Sequence, residues 1–144
     1  MKIKVRKIHR DAIIPEFKTS GASGFDLHAL EEVYVSNQYA VKIRTGLAFD
    51  IPEGYEMQIR PRSGVSLNTK FRIANSPATI DSDFTGEVMI IIDYLLDTGY
   101  TKIDKGTRIA QGVICPVIKV EFEEVESIDK TTDRGHGGFG STGF

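Results

Sequence analysis

Cysteine is nearly absent from these 144 residues, with Cys115 standing alone. A single thiol forms no internal disulfide, so the sequence predicts a reducing, cytoplasmic setting. No apolar run approaches the roughly 20 residues that a membrane-spanning helix requires. The opening stretch MKIKVRKIHRD is charged and alternating, with no apolar segment behind it, which argues against a secretory signal. An excess of one charge is lacking too. The formal net charge is −2, so no global field draws the chain to nucleic acid, and any anion must be held by a local cluster. The three histidines and the cysteine are scattered without the spacing of a zinc site, and no transition-metal centre is expected.

What is present is a period of two. Tyr55, Met57 and Ile59 alternate with Glu56, Gln58 and Arg60. Leu47, Phe49 and Ile51 alternate with polar or small neighbours, and Ile118, Val120 and Phe122 with Lys119, Glu121 and Glu123. This pattern predicts half-buried strands. Val88 to Ile92 reads VMIII, continuous enough to predict a strand buried on both faces. Turns are expected at Pro52-Glu53-Gly54, Asp97-Thr98-Gly99 and Asp104-Lys105-Gly106. Strands this short, with turns this frequent, predict a single all-β domain, a sandwich, jelly roll or barrel. The one plausible helix is a turn or two from Ser63, through SGVSLNTK. No internal repeat is visible, and low complexity is confined to the end, where RGHGGFGSTGF holds five glycines in eleven residues.

Five stretches depart from the strand pattern. In GASGFDLHA, Asp26 is a carboxylate between Phe25 and Leu27, readable as a solvated strand-end acid or as a placed functional group. In RPRSGVS, Pro61 ends a strand and a helix begins. There Ser63 can cap the helix or, with neighbouring N–H groups and the Arg62 fork, hold a phosphate. In NSPATIDSDFTGEV, Asp81 and Asp83 would face the same side if the segment is extended. They read either as an acid–base or cation-binding pair or as the acidic turn of a hairpin. In KGTRIAQG, Arg108 and Gln111 are three apart, and Gln111 is an amide in an otherwise apolar run. The tail offers glycine N–H groups, the charge of Arg134, the hydroxyls of Ser141 and Thr142, and the flat face of Phe139. Those are the groups a nucleotide needs, although such a terminus is also commonly frayed.

Taken together, in this order and spacing, ASGFDLHA, PRSGVS, NSPATIDSDFTGEV, KGTRIAQG and RGHGGFGSTG closely resemble the five motifs of the trimeric deoxyuridine triphosphatases, which cleave dUTP to dUMP and pyrophosphate. The resemblance runs from Ala22 to Gly143. It implies an all-β jelly roll or distorted barrel, with residues 1–133 as the domain and 134–144 as a flexible glycine-rich lid. It also implies a homotrimer whose active sites are shared between chains, the tail reaching to a neighbour.

The resemblance further implies that Asp81 is the general base that deprotonates the attacking water and accepts a hydrogen bond from the sugar 3′-hydroxyl. Asp26 would reach a Mg²⁺ ion through water, the ion being held mainly by the substrate's phosphates. Ser63, Gly64 and Arg62 would contact the phosphate chain, and Gln111 would help hold it and nearby water. Arg134, Gly140, Ser141 and Thr142 would close with the tail, while Phe139 stacks on uracil. Asn75 would touch the base held in a hairpin of the third motif, and Phe84 would pack on the deoxyribose. The chain departs from the common pattern at Phe84 and Phe25, where Tyr is usual, at Ala78 for Gly, and at Thr107 for an acid. The alternatives are a deoxycytidine triphosphate deaminase or bifunctional relative, and a nucleotide-binding regulator without turnover.

Overall fold

The computed structural model describes residues 1–95, 99–128, 130–138 and 141. In chain order its elements are β1 (Lys4–Lys7), β2 (Phe25–His28), β3 (Val33–Ser36), β4 (Val41–Arg44), β5 (Leu47–Asp50) and β6 (Tyr55–Arg60). The helix α1 (Ser63–Asn68), the only one among the described residues, follows, then β7 (Phe71–Ile73), β8 (Ala78–Ile80), β9 (Met89–Tyr94), β10 (Tyr100–Ile103) and β11 (Arg108–Pro116). The all-β expectation holds, with one short helix where the sequence placed it.

Among the described residues every ladder is antiparallel. The largest sheet runs β2-β11-β6-β8, a second β4-β9-β7, and two pairs, β1-β5 and β10-β3, complete the set. Among the described residues no ladder joins strands that follow one another in sequence. The expected turns at Pro52-Glu53-Gly54 and Asp104-Lys105-Gly106 are present, closed by Tyr55 N–H to Pro52 O (3.1 Å) and Thr107 N–H to Asp104 O (3.1 Å). Gly54 and Gly106 supply the positive φ these turns need, +82° and +80°. The first leads from one sheet into another rather than closing a hairpin. The third expected turn includes Asp97 and Thr98, which lie outside the described residues.

The core forms where the sheets face each other. Leu27, Ile43, Met57, Ile59, Ile90 and Ile92 are fully buried there. Phe25 lies against Phe17 edge-on (5.6 Å) and is stacked with Phe49 (6.1 Å), an apolar setting that suits Phe rather than a tyrosine hydroxyl. A polar knot ties the β4–β5 corner to the start of β9. Thr45 Oγ1 donates to Val88 O (2.6 Å), and Glu87 accepts from Arg44 Nε (3.1 Å) and Gly46 N–H (2.8 Å).

Two strand expectations are corrected. VMIII is buried on one face only: Val88, Ile90 and Ile92 point inward, while Met89 is 37% exposed and Ile91 is half-buried. The sheet containing β9 packs one face on the core and turns the other outward, as antiparallel sheets commonly do. Residues 117–128 form no strand, and Ile118 and Phe122 are 87% and 96% exposed. Their alternation is real, but within one chain the segment has no ladder partner among the described residues.

Close packing gives one stability test. A Cβ added to buried Gly112 would lie 2.7 Å from Phe25 Cζ and 3.1 Å from Met57 Sδ, whereas one added to Gly21 meets nothing within 4 Å. Gly112→Ala is therefore expected to destabilise the fold by about 1–3 kcal/mol through overpacking. Gly21→Ala should stay within about 0.5 kcal/mol of the parent protein in urea denaturation, as surface changes usually do.

Candidate active site

The largest sheet positions most of the chemistry. β11 lies between β2 and β6, and its register sets Gln111 opposite Asp26 on one side and Arg60 on the other. Alternation puts Phe25 and Leu27 on the core side. Asp26 is nonetheless 7% exposed, so it is a buried charge, not a solvated strand-end acid. Its environment meets the requirement that a buried carboxylate be paired. Arg62 Nε donates to Asp26 Oδ1 at 2.7 Å, and Arg108 Nη1 to Asp26 Oδ2 at 3.3 Å. Arg62 Nη1 also donates to the Arg108 backbone carbonyl (3.3 Å), which ties the two cations into one unit. Both carboxylate oxygens are thus engaged by guanidinium groups. Two guanidiniums against one carboxylate leave a net charge of +1, at a spot where Arg108 remains 48% exposed.

His28 lies on the same strand and adds no charge to this group at neutral pH. Burial is the main influence that lowers its pKa from the ordinary value of 6.5, assisted by Lys18, Arg108 and Arg62 and opposed by Asp26. The buried Nδ1 of His28 has no hydrogen-bond partner among the described residues.

Gln111 is the link between β11 and the segment ahead of the helix. Its Nε2 donates to the Pro61 carbonyl at 2.8 Å. Ser63 and Gly64 follow at once as the first, exposed residues of α1. The expectation that Ser63 caps the helix is corrected. Arg62 occupies the N-cap position, with φ −87° and ψ 137°, and makes no side-chain cap bond, since a guanidinium has no acceptor for a backbone N–H. The first-turn N–H groups, which no intrahelical carbonyl can reach, are left beside the Ser63 hydroxyl.

Asp81 belongs to a different place. It follows β8, and Phe84 N–H closes a turn on Asp81 O (3.2 Å). Asp81 and Asp83 are therefore not side by side on an extended strand. Asp81 is exposed and borders a cleft of about 530 Å³ with Glu53, Glu56, Asp83 and Lys119. Ile80 pairs with Met57, so Asp81 sits level with Glu56, whereas Asp26 is level with Arg60. Strand rise and spacing put Asp81 and Asp26 on the order of 15–20 Å apart.

Asn75 is exposed in a turn closed by Ser76 N–H to Ile73 O (3.2 Å). The expected hairpin of the third motif is not a ladder, because β7 pairs with β9 and β8 with β6. Pro77, which lacks an N–H, stands at the crossing between the two sheets. Phe84 is 42% exposed, and its ring lies over Gly86, where an added Cβ would be 2.8 Å from Cζ.

In the tail, Arg134 Nε donates to Gly137 O (2.9 Å) and Ser141 N–H to Gly138 O (3.0 Å), both local bonds. Phe139, Gly140 and Thr142 lie outside the described residues. The structure thus brings Asp26, Arg62, Gln111 and the residues leading to Ser63 and Gly64 together. It sets Asp81, Asn75 and Phe84 elsewhere in the chain. Arg108 had been given no role from sequence. The available signal was a second cation three residues before Gln111 on the strand that faces Asp26.

Comparison with known proteins identifies the family. A family model described as dUTPase matches residues 10–143. The deoxyuridine 5'-triphosphate nucleotidohydrolase of Helicobacter pylori is 48% identical over 143 residues, covering 99% of this chain and 97% of that protein. The enzyme of the same name from a Hydrogenobaculum species is 49% identical over 145 residues, covering 100% and 99%. Among solved structures, the Staphylococcus bacteriophage 80alpha dUTPase with dUPNHPP matches with a TM-score of 0.89 at 30% identity, over 99% of each chain. A mutant dUTPase from phage phi11 of S. aureus, in which the coordination of a structural Mg(II) ion was detailed, matches at 0.81 and 28% identity, over 90% of this chain and 100% of that one. The mostly β architecture, the five motifs and these matches agree: the chain belongs to the dUTPase family.

Proposed function

We propose that the protein hydrolyses dUTP to dUMP and pyrophosphate, by attack of water on the α-phosphorus. This removes dUTP from the precursors of DNA and supplies dUMP for thymidylate synthesis. The observation that carries the reading is the Asp26–Arg62–Arg108 unit, bolted through Gln111 and Pro61 to the exposed start of α1. In a chain of net charge −2, this is a local, partly buried cationic spot of the kind a triphosphate requires.

In this reading Asp81 takes the proton of the attacking water, and Ser63 and Gly64 hold the phosphates through hydroxyl and backbone N–H groups. Asn75 meets the base and Phe84 packs on the deoxyribose, so a 2′-hydroxyl is crowded out. Among the described residues no group of three or more His, Cys, Asp or Glu is placed to hold a metal, and Asp26 already has two cationic partners. That donor set fits a Mg²⁺ that arrives on the triphosphate and meets Asp26 only through water. When bound, the ion would neutralise phosphate charge. Residues 134–144 act as the lid on the 1–133 domain. Arg134 exchanges its bond to Gly137 O for the γ-phosphate, Gly140, Ser141 and Thr142 close beside it, and Phe139 covers the uracil. Ordering the tail costs entropy, which charge-assisted contacts and exclusion of water offset.

The active unit is a homotrimer with shared sites. The separation of Asp81 from Asp26 within one chain supports this, since another copy must supply the missing half. So does the apolar alternation of residues 117–128, which is fully on display. A groove of about 350 Å³ lies along β1, lined by Ile3, Val5, Phe17 and Phe25. Lys2, Lys4 and Arg6 run along that edge, while the displayed segment carries Glu121, Glu123, Glu124 and Glu126. Strand addition by a neighbouring copy would bury the apolar set and pair these charges.

Two outcomes are expected. Purified protein with dUTP and Mg²⁺ should release dUMP and pyrophosphate in equal amounts without ammonia. Asp81→Asn should lower kcat by about 10²–10⁴-fold with little loss of stability, as removal of a general base does. Ammonia release would point to the deaminase reading, and binding without product to the regulator. Phe122→Glu should convert a trimer of the 16.0 kDa chain into monomer in sedimentation velocity and abolish turnover. A variant that stays trimeric would remove the segment from the interface.

A further inference from the structure

Gly24 lies just ahead of β2, two residues before Asp26. Its φ is outside the positive range that favours glycine, so the backbone there does not demand this residue. Space does. A Cβ built on Gly24 would fall on Oε1 of Gln111, 3.2 Å from Gln111 Cδ and 3.3 Å from Val113 Cγ2. The other end of the same amide donates Nε2 to the Pro61 carbonyl at 2.8 Å. The amide is therefore confined on one side by the Gly24 backbone and tied on the other to the residue before Arg62. Arg62 in turn holds Asp26 at 2.7 Å.

We propose that Gly24 is a positioning residue for the reaction: its missing side chain is the slot that seats the Gln111 amide under Pro61. The seated amide sets the Arg62–Ser63–Gly64 stretch against Asp26. The proposal rests on the hydrolase reading above and assigns Gly24 no contact with substrate. A methyl group in the slot forces the amide to turn or withdraw. Either movement releases the Pro61 carbonyl and shifts the phosphate-binding stretch by a fraction of its own width. Displacements of about 1 Å at such distance from the reacting atoms cost up to about a hundredfold in rate.

The test is a double-mutant cycle on the full chain with dUTP and Mg²⁺, with folding followed by thermal melts. Gly24→Ala should lower kcat roughly ten- to a hundredfold, with Gly21→Ala near the parent rate. In a Gln111→Ala background the slot has no occupant, and adding Gly24→Ala should change kcat less than about twofold, because coupled sites are non-additive. Should Gly24→Ala fail to fold, Gly24→Ala/Gln111→Ser empties the slot, and recovery of a cooperative melt places the conflict at the amide. An equal loss in both backgrounds, no loss in either, or a double variant that stays unfolded overturns the proposal while leaving dUTP hydrolysis intact. Absence of dUTP turnover in the unsubstituted protein would sink the hydrolase reading, and the proposal with it.

Discussion

A buried carboxylate held between two guanidinium groups organises this molecule. Asp26 sits in a strand whose neighbours, Phe25 and Leu27, belong to the core. Taking an ionised acid out of water costs several kcal/mol even after relaxation, and an unpaired one would not persist. Arg62 and Arg108 meet that demand from two different elements, the segment before α1 and the first residue of β11. The pair of ion contacts thus ties three parts of the chain that lie far apart in sequence. Such a buried arrangement is weak evidence for stability, since an apolar substitute of equal volume can do as well. Its value lies in specifying one geometry for two cations that would otherwise repel each other.

β11 carries the consequences of that geometry across the sheet. It presents Arg108 and Gln111 at one end, passes Gly112 beneath Phe25, and ends at Pro116, where the displayed segment begins. Because no ladder among the described residues joins successive strands, each of these contacts closes a long loop, and the sheet forms only when distant segments meet. The same topology sends Asp81 to the far end of β8. On the proposed reading, a fold that separates its acid from its cations in this way would draw its site from more than one copy. Catalysis and association would then be coupled by geometry, and a change that weakens the contact between copies would act on turnover without touching a reacting atom.

Local signals in the sequence were read where local physics decides. The alternation of β5 and β6, the turns at Gly54 and Gly106, and the short helix at Ser63 each depend on neighbours in the chain. Misreadings arose where a distant partner decides. VMIII has the composition of a strand buried on both faces, yet β9 covers only one, since burial depends on which sheet lies opposite. Ser63 has the chemistry of a cap, but the helix starts at Ser63 itself and leaves the N-cap position to Arg62, whose side chain meets an acid 36 residues away. Asp81 and Asp83 alternate as a strand would, while a backbone bond from Phe84 to Asp81 bends the segment into a turn. The motif order supplied the candidate residues. Which of them meet within one copy is a property of strand register and could not be read from spacing.

On the proposed reading, the pairing of Asp26 also bears on why a site for a polyanion would contain a buried acid at all. An empty pocket lined only by cations would spread its guanidinium groups into solvent, and substrate binding would have to gather them. With Asp26 in place, Arg62 is fixed at 2.7 Å and linked to Arg108 before any phosphate arrives. The carboxylate removes one unit of positive charge and in return fixes the donors in advance, which would spare reorganisation when an anion binds. It leaves the outward side of Arg108 free, so attraction for phosphate is reduced but not lost. In the proposed hydrolysis, an acid that holds the donors in fixed positions would help the transition state to the extent that those donors meet the charge that develops there.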